Sequence, residues 1–259
     1  MLRSRQEGIF PALADAAGGL RGRCRRRASL ATADNHLIEL LPRAERRRLL
    51  AICEPVELVL AAVLCDAGEP VRHVYFPIDG FISLIAPIDG KPGLEVAMVG
   101  RESMLGAQLA LGVPAAPLHA LVQGAGTALR VGATAFRAEL DRSPALLGGL
   151  HRYIHVLMSQ LAVSAACLRF HLLGPRLARW LLMSHDRARS DSFHVTHEFL
   201  AYMLGVRRVG VTTAAGILQK AGLISYRHGQ LTVLDRPGLE AAACSCYEAD
   251  RRSYAELLE

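Results

Sequence analysis

The stretch that most constrains the fold is residues 195–234, VTHEFLAYMLGVRRVGVTTAAGILQKAGLISYRHGQLTVL. Thr196 can cap a helix start, because its hydroxyl can accept a hydrogen bond from a backbone N–H that has no partner within the helix. The apolar face of this helix would comprise Phe199, Leu200, Met203 and Leu204. Gly205 follows where a helix ending in a left-handed residue favours glycine. The segment predicts a short helix that ends in a tight turn.

The helical pattern resumes after Val206 and Arg207 and continues to Lys220. The apolar face of this second helix would comprise Val211, Ala214, Ala215 and Leu218. Gly222 ends the helix, and a basic RHG turn then joins two short segments with the alternation of strands. Helix, tight turn, helix and hairpin together predict a winged helix-turn-helix, whose second helix can lie in the major groove of DNA.

Upstream, the sequence between residues 57 and 131 consists of short apolar segments separated by Gly, Pro and Asp turns. The predicted strands are 56–64, 71–78, 81–88, 94–100, 119–126 and 127–131, with turns at 68–70, 79–80 and 89–93. Strands at such regular spacing predict a double-sheet jelly roll or barrel. A helical segment over 34–54, broken at Pro42, precedes them.

A long helix is predicted from Pro144 to Phe170, with Ser143 as its cap. Apolar or small residues recur along it in steps of three and four, at Leu147, Leu150, Ile154, Leu157, Leu161, Ser164 and Leu168. This heptad seam is about 32 Å long at ~1.5 Å per residue and favours pairing with a second copy of the chain. The alternative is a helix lying along its own β domain, since ordinary amphipathic helices share part of the spacing.

Segments from both halves of the chain resemble the Crp/Fnr (cAMP receptor protein/fumarate-nitrate regulator) superfamily. In 195–229 the matching points are the Thr at the first helix start, the LGV turn, an Arg opening the second helix, and the GLI before the wing. GEPVRHVYFPIDGFISL and EVAMVGRESMLG resemble the family's effector-binding β-roll. The resemblance covers about residues 37–246. It implies an α+β fold: an N-terminal β-roll (jelly-roll, cyclic-nucleotide-binding-like), a long dimerisation helix and a C-terminal winged helix-turn-helix.

Four parts are expected: a basic arm (1–33), a β-roll sensor domain (34–143), a dimerisation helix (144–172) and a DNA-binding domain (173–259). The last would also hold a helix over 176–190 and a helical tail. The resemblance implies a homodimeric transcription regulator that binds a two-fold symmetric site on double-stranded DNA and acts with RNA polymerase. The alternative is a regulator without a ligand, controlled by its abundance or by a protein partner.

The residues expected to contact DNA lie on the second helix, at the start of the first and at the wing tip. They are Thr196, His197, Arg207, Arg208, Val209, Gly210, Thr212, Thr213, Arg227, His228 and Gly229. Arg208 aligns with an arginine that the family aims at guanine, a bidentate contact worth ~1–3 kcal/mol of discrimination. Val209 and Thr213 replace an acidic residue and an arginine of the receptor protein, which predicts a different target site. Gly210 is interpreted as allowing close approach to the groove.

The effector pocket is expected at Gly100, Arg101, Glu102 and Ser103. The resemblance implies that cAMP-binding members present Gly-Glu and a downstream Arg-Ser to the ribose and cyclic phosphate. Here Arg101 separates the glycine from the glutamate, and the downstream segment PAAPLHA (114–120) contains no arginine. Because a cyclic phosphate needs a cation and N–H donors, the sequence argues against cAMP and leaves the effector open.

No metal or iron–sulfur site is predicted. The cysteines are Cys24, Cys53, Cys65, Cys167, Cys244 and Cys246. The first three are separated by 29 and 12 residues, unlike the tight cluster of the family's oxygen-sensing members. Cys244 and Cys246 are interpreted as small buried or idle residues. His151 and His155 have the spacing to share a metal, but interface packing is favoured because no third ligand lies nearby in sequence.

Composition and charge set the remaining expectations. The formal net charge is +6, but residues 1–33 carry seven Arg against two acids, so little excess remains elsewhere. Residues 195–232 carry four basic residues against Glu198, a local excess that suits DNA. No membrane association is expected, because no apolar run approaches the ~18–20 residues of a span. Loosely spread cysteines fit a reducing cytoplasm.

Catalysis is not predicted. An enzyme of the cupin type would share the β-roll, but it needs a clustered set of histidines with an acidic residue on the strands. The strand region offers only His73 and His119. No glycine-rich phosphate loop and no Ser/His/Asp order are evident in the sequence.

Overall fold

A computed structural model of the chain describes residues 35–88 and 91–259. The predicted basic arm and Cys24 lie outside the described residues. The helices are α1 (His36–Glu39), α2 (Arg43–Ala51), α3 (Ala133–Leu140), α4 (Pro144–Phe170), α5 (Leu173–Ala188), α6 (His197–Leu204), α7 (Arg208–Lys220), α8 (Arg236–Ala242) and α9 (Cys246–Leu258). The strands are β1 (Glu54–Leu58), β2 (Val63–Cys65), β3 (His73–Ile88), β4 (Lys91–Val99), β5 (His119–Gly132), β6 (Ser192–His194), β7 (Ile224–Arg227) and β8 (Gln230–Val233).

The N-terminal domain is built on an antiparallel sheet in the order β1-β5-β3-β4, with β2 also paired to β5. The predicted turn at 79–80 is wrong: β3 runs through both residues as one 16-residue strand. Asp79 and Gly80 lie instead at shifts in the β3–β5 register. The Asp79 carboxylate accepts a hydrogen bond from the Thr127 hydroxyl at 2.8 Å, and Gly80 adopts a φ of +73° beside the Gly124 carbonyl. A bulge thus uses the same two residue types that favour a turn.

Two further strand predictions need correction. Residues 119–131 were expected as two strands, but they belong to one strand, β5. The segment 56–64 was expected as one strand, but it contributes to both β1 and β2, with Ala61 between them at a φ of +65°. Continuous long strands with register shifts let one sheet curve around its own interior.

Apolar side chains fill the inside of the curved sheet. Buried residues there include Leu58, Tyr75, Ile82, Leu84, Val99 and Val122. Leu157 and Leu161 of α4 pack against this cluster. A second cluster on the other side of the sheet joins Phe76 to Phe136 of α3 and to α4. Helix α4 therefore covers its own sheet domain with part of its surface.

The long helix begins as predicted: Ser143 Oγ accepts from Leu146 N at 3.3 Å, and Pro144 occupies the first turn. The heptad seam needs one correction. Leu150 is 1% exposed within the chain's own core, so it is unavailable to a partner. The other seam residues keep exposed surface, with Leu168 at 40%. The alternative of a helix packed on its own domain therefore holds for the first half of α4.

Among the described helices, α4 alone is long and apolar enough, by length and composition, to cross a membrane. The uninterrupted apolar runs of the sequence do not predict this, because polar residues such as His151, Arg152 and Gln160 interrupt the apolar residues of α4. A heptad seam requires the same apolar character. Leu146, Tyr153 and Val156 of this helix are buried against the rest of the chain.

The C-terminal domain shares one continuous core with the sheet. Phe81, Ile85, Met98 and Leu121 of the sheet pack in the same cluster as residues of α5, α6, α7, α8 and the three-stranded sheet β6-β8-β7. Trp180 of α5 lies within this cluster and donates its indole N–H to Glu95 of β4 at 2.8 Å. Apolar packing and a partly buried polar contact together join the two domains.

Candidate nucleic-acid interface

The first helix of the pair is set by its two ends. Thr196 Oγ1 accepts from Phe199 N at 3.1 Å, which confirms the predicted cap. Gly205 ends α6 at a φ of +65°, a conformation that costs other residues more. The backbone N–H of Val206 then donates to Ala201 O at 2.9 Å, and α7 begins at Arg208. The short turn places α6 and α7 in the arrangement expected of a helix-turn-helix.

The outer face of α7 is open to solvent along its whole length. Val211, Ala214, Ala215 and Leu218 are buried as predicted. The exposed positions are Arg208, Val209, Thr212, Thr213, Gly216, Ile217, Gln219 and Lys220. Val209 is 70% exposed and Ile217 62%. Sequence analysis missed Ile217, although it follows Thr213 by four residues and so shares that helical face.

Gly210 does not serve the role predicted for it. A Cβ at this position would lie 3.0 Å from Leu173 Cδ2, so the residue faces α5 rather than the outer surface. Its small size allows α7 to pack on α5. The prediction that Gly210 allows close approach to DNA is therefore wrong for this arrangement.

The two threonines of α7 are partly engaged by the helix itself. Thr212 Oγ1 donates to Arg208 O at 3.1 Å, and Thr213 Oγ1 donates to Val209 O at 3.0 Å. Both hydroxyl oxygens keep acceptor capacity, and the methyl groups add apolar surface. Arg207, an exposed residue in extended conformation, immediately precedes the helix.

His197 links the two helices to the wing. Its ring stacks on Tyr226 with centroids 4.4 Å apart and planes 7° apart. Its Nδ1 lies 3.0 Å from Thr212 Oγ1. Burial and the nearby Arg208 lower the pKa of His197, which favours the neutral ring. These contacts favour a role in positioning α7 and the wing over the predicted contact with phosphate.

The wing is the hairpin of β7 and β8. Arg227 pairs with Gln230 across a two-residue turn formed by His228 and Gly229, with φ values of +50° and +80°. Two residues of positive φ make the tight hairpin turn that matches strand twist. A Cβ at Gly229 would collide with the His194 imidazole. Arg227 and His228 are exposed at the tip, adjacent to each other.

The helix pair and the wing match a family of known domains over residues 175–242. These residues form a Crp-like helix-turn-helix domain. A search of curated proteins finds no match to the chain.

Over about three quarters of the chain, the fold is that of solved Crp/Fnr regulators. The c-di-GMP-responsive global regulator CLP of Xanthomonas campestris is 17% identical, with a TM-score of 0.60, covering 74% of this chain and 99% of that one. FixK2 of Bradyrhizobium japonicum is 13% identical, with a TM-score of 0.61, covering 74% and 98%. A regulator of the CRP/FNR family from Thermus thermophilus is 21% identical, with a TM-score of 0.60, covering 73% and 98%. Likeness at this level of identity establishes the predicted fold class.

The residues expected to form the effector pocket do not act together: Ser103 is buried within its own turn, whereas Glu102 contacts the C-terminal domain. Ser103 is 2% exposed, and its Oγ accepts from Gly100 N at 2.8 Å. Glu102 instead accepts from Arg187 of α5, with Nη2 at 2.7 Å and Nε at 3.0 Å. Tyr254 of α9 donates to the Glu102 carbonyl at 2.6 Å. Glu102 therefore holds the Crp-like domain and the C-terminal helix to the sheet domain.

Two cavities lie near these residues. One of about 100 Å³ separates the sheet interior from α4 and is lined mainly by apolar residues such as Leu84, Leu105 and Leu157. Pockets for small molecules usually enclose ~300–1,000 Å³. The other, of about 630 Å³, lies at the domain junction. It is lined by Arg101, Glu102, Asp186, Arg187 and Tyr254 among others, a mixture of both charges.

Glu95, which sequence analysis did not single out, lies at the same junction. Its carboxylate accepts from Trp180 and from Ser83. Burial raises the pKa of Glu95 from an ordinary 4.5 to about 7, although the two hydrogen bonds and nearby arginines favour the ionised form. A glutamate that ionises near neutrality thus lies between the sheet and the Crp-like domain.

Replacing Glu95 with glutamine should flatten the pH dependence of stability. Because the folded state holds the Glu95 proton more tightly than the unfolded chain, the wild type loses stability as pH rises from about 4.5 through about 7. The loss is at most roughly 3.5 kcal/mol at ~1.4 kcal/mol per pKa unit. Denaturant titrations between these pH values measure it. The exposed Glu57→Gln is the charge-matched control, and an equally steep Glu95→Gln profile would contradict the assignment.

Proposed function

We propose that this chain is a sequence-specific DNA-binding transcription regulator that binds a two-fold symmetric site as a homodimer. The observation that carries the proposal is the exposed outer face of α7, flanked by Arg207 and the wing, within a Crp-like helix-turn-helix domain. An α-helix with this much free surface fits the width of the major groove. Such a regulator would act in the cytoplasm with RNA polymerase and would not be an enzyme.

Each exposed residue type suits one part of the DNA. Arg208, in the first turn of α7, can donate two hydrogen bonds to guanine. Val209 and Ile217 are apolar and exposed, so they can pack on thymine methyl groups. Arg227 at the wing tip can contact phosphate, which positions the domain without selecting sequence. The helix therefore supplies specificity, while the wing supplies affinity.

Pairing through the second half of α4 is the second element of the proposal. Leu161 and Leu168 keep exposed surface, and Met158 is 63% exposed on the neighbouring part of the helix. Phe170 and Leu172, where α4 meets α5, are 77% and 81% exposed. A second copy would cover this surface and would place two α7 helices on one DNA molecule.

Control at the domain junction is the third element. The ion pair of Glu102 with Arg187 and the hydrogen bond from Trp180 to Glu95 link the sensor side to the DNA-binding side. An effector or a protein partner that breaks these contacts would shift the population between positions of α7. The 100 Å³ cavity under α4 favours a signal read at the junction over a nucleotide enclosed by the sheet. A regulator without a small-molecule ligand is the alternative.

The proposal is tested by selecting bound sequences from random duplex DNA and then sedimenting the complex. We expect an inverted repeat whose halves lie about one helical turn apart, bound by two chains. Recovery of no sequence preference, or of a single half-site bound by one chain, would refute it. Incubation with lipid vesicles tests the competing use of α4, and membrane insertion of the full chain would likewise contradict a soluble dimer.

A further inference from the structure

The most unusual side-chain cluster outside the DNA-binding face combines three cysteines and one histidine. Cys167 lies in the last turn of α4, and His171 directly follows that helix. Cys244 lies between α8 and α9, and Cys246 is the first residue of α9. The Sγ atoms of the cysteines and a ring nitrogen of the histidine all lie within 4.8 Å of one another.

Local structure explains how the four residues meet. Cys167 and His171 are four apart, so the end of α4 directs both to the same side, and His171 N donates to Cys167 O at 3.1 Å. Ala243 is extended, which separates the two C-terminal helices and turns Cys244 toward α4. The backbone N–H of Cys244 donates to Pro175 O at 3.3 Å, which fixes this segment against the start of α5.

We propose that Cys167, His171, Cys244 and Cys246 bind one zinc ion. Three cysteines and one histidine are an established ligand set of structural zinc sites. Tetrahedral coordination with Zn–S of ~2.3 Å and Zn–N of ~2.0 Å requires S···S of about 3.8 Å and S···N of about 3.5 Å. The Cys167 and Cys244 sulfurs are 3.5 Å apart, and Cys246 Sγ is 3.5 Å from His171 Nδ1. Small shifts would complete the tetrahedron.

The surroundings suit a zinc thiolate centre. All three cysteines are buried, so the ion would be shielded from water. Zinc with three thiolates carries one negative charge, and Arg176 and Arg179 lie close enough to interact with the sulfurs of Cys167 and Cys244. Zinc binds cysteine as the thiolate, so binding would release the thiol protons. Ligand atoms this close surround a single ion and leave no volume for an iron–sulfur cluster.

The site would join two parts of the chain that the proposed function requires to be placed correctly. One pair of ligands ends the helix proposed for pairing, and the other pair follows the Crp-like domain. His171 itself lies in the short segment between Phe170 and Leu173, where α4 meets α5. Zinc would therefore fix the direction of α5 relative to α4. This consequence, unlike the site itself, rests on the proposed role in DNA binding.

The test is metal analysis of the full chain, purified without a histidine tag or chelator. We expect one zinc per chain, and, after exchange with cobalt(II), the visible absorption of a tetrahedral thiolate complex. Cys244→Ser and His171→Gln should each lower zinc affinity by more than the ~10–100-fold typical for loss of an outer-shell partner. Cys53→Ser is the matched control, because Cys53 is half-buried and bonds to Leu49 O away from the cluster. It should keep one zinc.

Three results would overturn the site: no thiolate–cobalt absorption in the wild type, zinc retained equally by Cys244→Ser, or a Cys167–Cys244 disulfide in freshly purified protein. The cobalt spectrum needs no variant, so poor folding of a mutant cannot obscure the answer. DNA affinity before and after chelation tests the coupling separately. A loss of DNA affinity after chelation supports the coupling. An unchanged affinity in zinc-depleted protein refutes the coupling, but it does not affect the zinc site, which the metal analysis tests.

Discussion

Replacing Arg208 with alanine should weaken binding to the selected DNA site by about 5- to 150-fold, the equivalent of the ~1–3 kcal/mol that a bidentate arginine–guanine contact contributes. The preference at one base pair of each half-site should relax at the same time. Arg208 is exposed in the first turn of α7, so the substitution should leave the fold intact. Fluorescence anisotropy on a panel of single-base variants of the site measures both effects.

Arg227→Ala provides the comparison for this experiment, since it removes the same charge from the wing tip. It should weaken binding to all sequences alike and reduce the salt slope by about 1. If Arg208→Ala retained the wild-type sequence preference, or if both variants behaved alike, Arg208 would be a phosphate contact and another residue of α7 would select the sequence.

Placing an aspartate at Leu168 should separate the proposed dimer. Leu168 is an apolar seam residue with 40% of its surface exposed. A charge there should therefore destabilise the dimer interface more than it destabilises the folded chain. Loss of an interface hot spot costs ≥2 kcal/mol, which would raise the dimer dissociation constant by about 30-fold or more. Sedimentation equilibrium measures this constant, and binding to the two-fold site should fall with it.

Ala166→Asp is the control for Leu168→Asp, because Ala166 is exposed on a different side of the same helix. It adds the same charge two residues away and should leave the dimer intact. A wild type that sediments as a monomer would exclude the proposed interface. So would equal dissociation constants for the two aspartate variants.

The helix-turn-helix could be predicted from sequence because its signals are local. Thr196, Gly205 and the buried face of α7 act within one or two turns of helix, and the structure places all of them as expected. The turn predicted at Asp79 and Gly80 failed for the opposite reason. The same pair suits a turn or a bulge, and the choice depends on β5, which supplies Thr127 as the partner of Asp79.

The candidate sites show the same division. The exposure of Arg208 and Val209 followed from helical periodicity alone. Gly210 could not be assigned correctly, because only the position of Leu173 on α5 shows which way it faces. The Cys–His cluster was beyond sequence analysis, since Cys167 and Cys244 come together only after α5 and the whole Crp-like domain have folded between them. The Cys167 and His171 half of the cluster has a local signal, because these two residues are four apart at the end of α4.

The core that the sheet shares with the Crp-like domain has a consequence for cooperativity. Phe81 and Met98 are 3% exposed, in a cluster with Leu177, Leu181 and Leu200 of the other domain. Separation of the domains would expose apolar surface on both sides, at ~25 cal/mol per Å². The two halves should therefore melt as one unit, without a long-lived intermediate in which one domain alone is folded. Any signal that repositions α7 must slide or tilt the Crp-like domain over this core, because full detachment would approach the energy of unfolding.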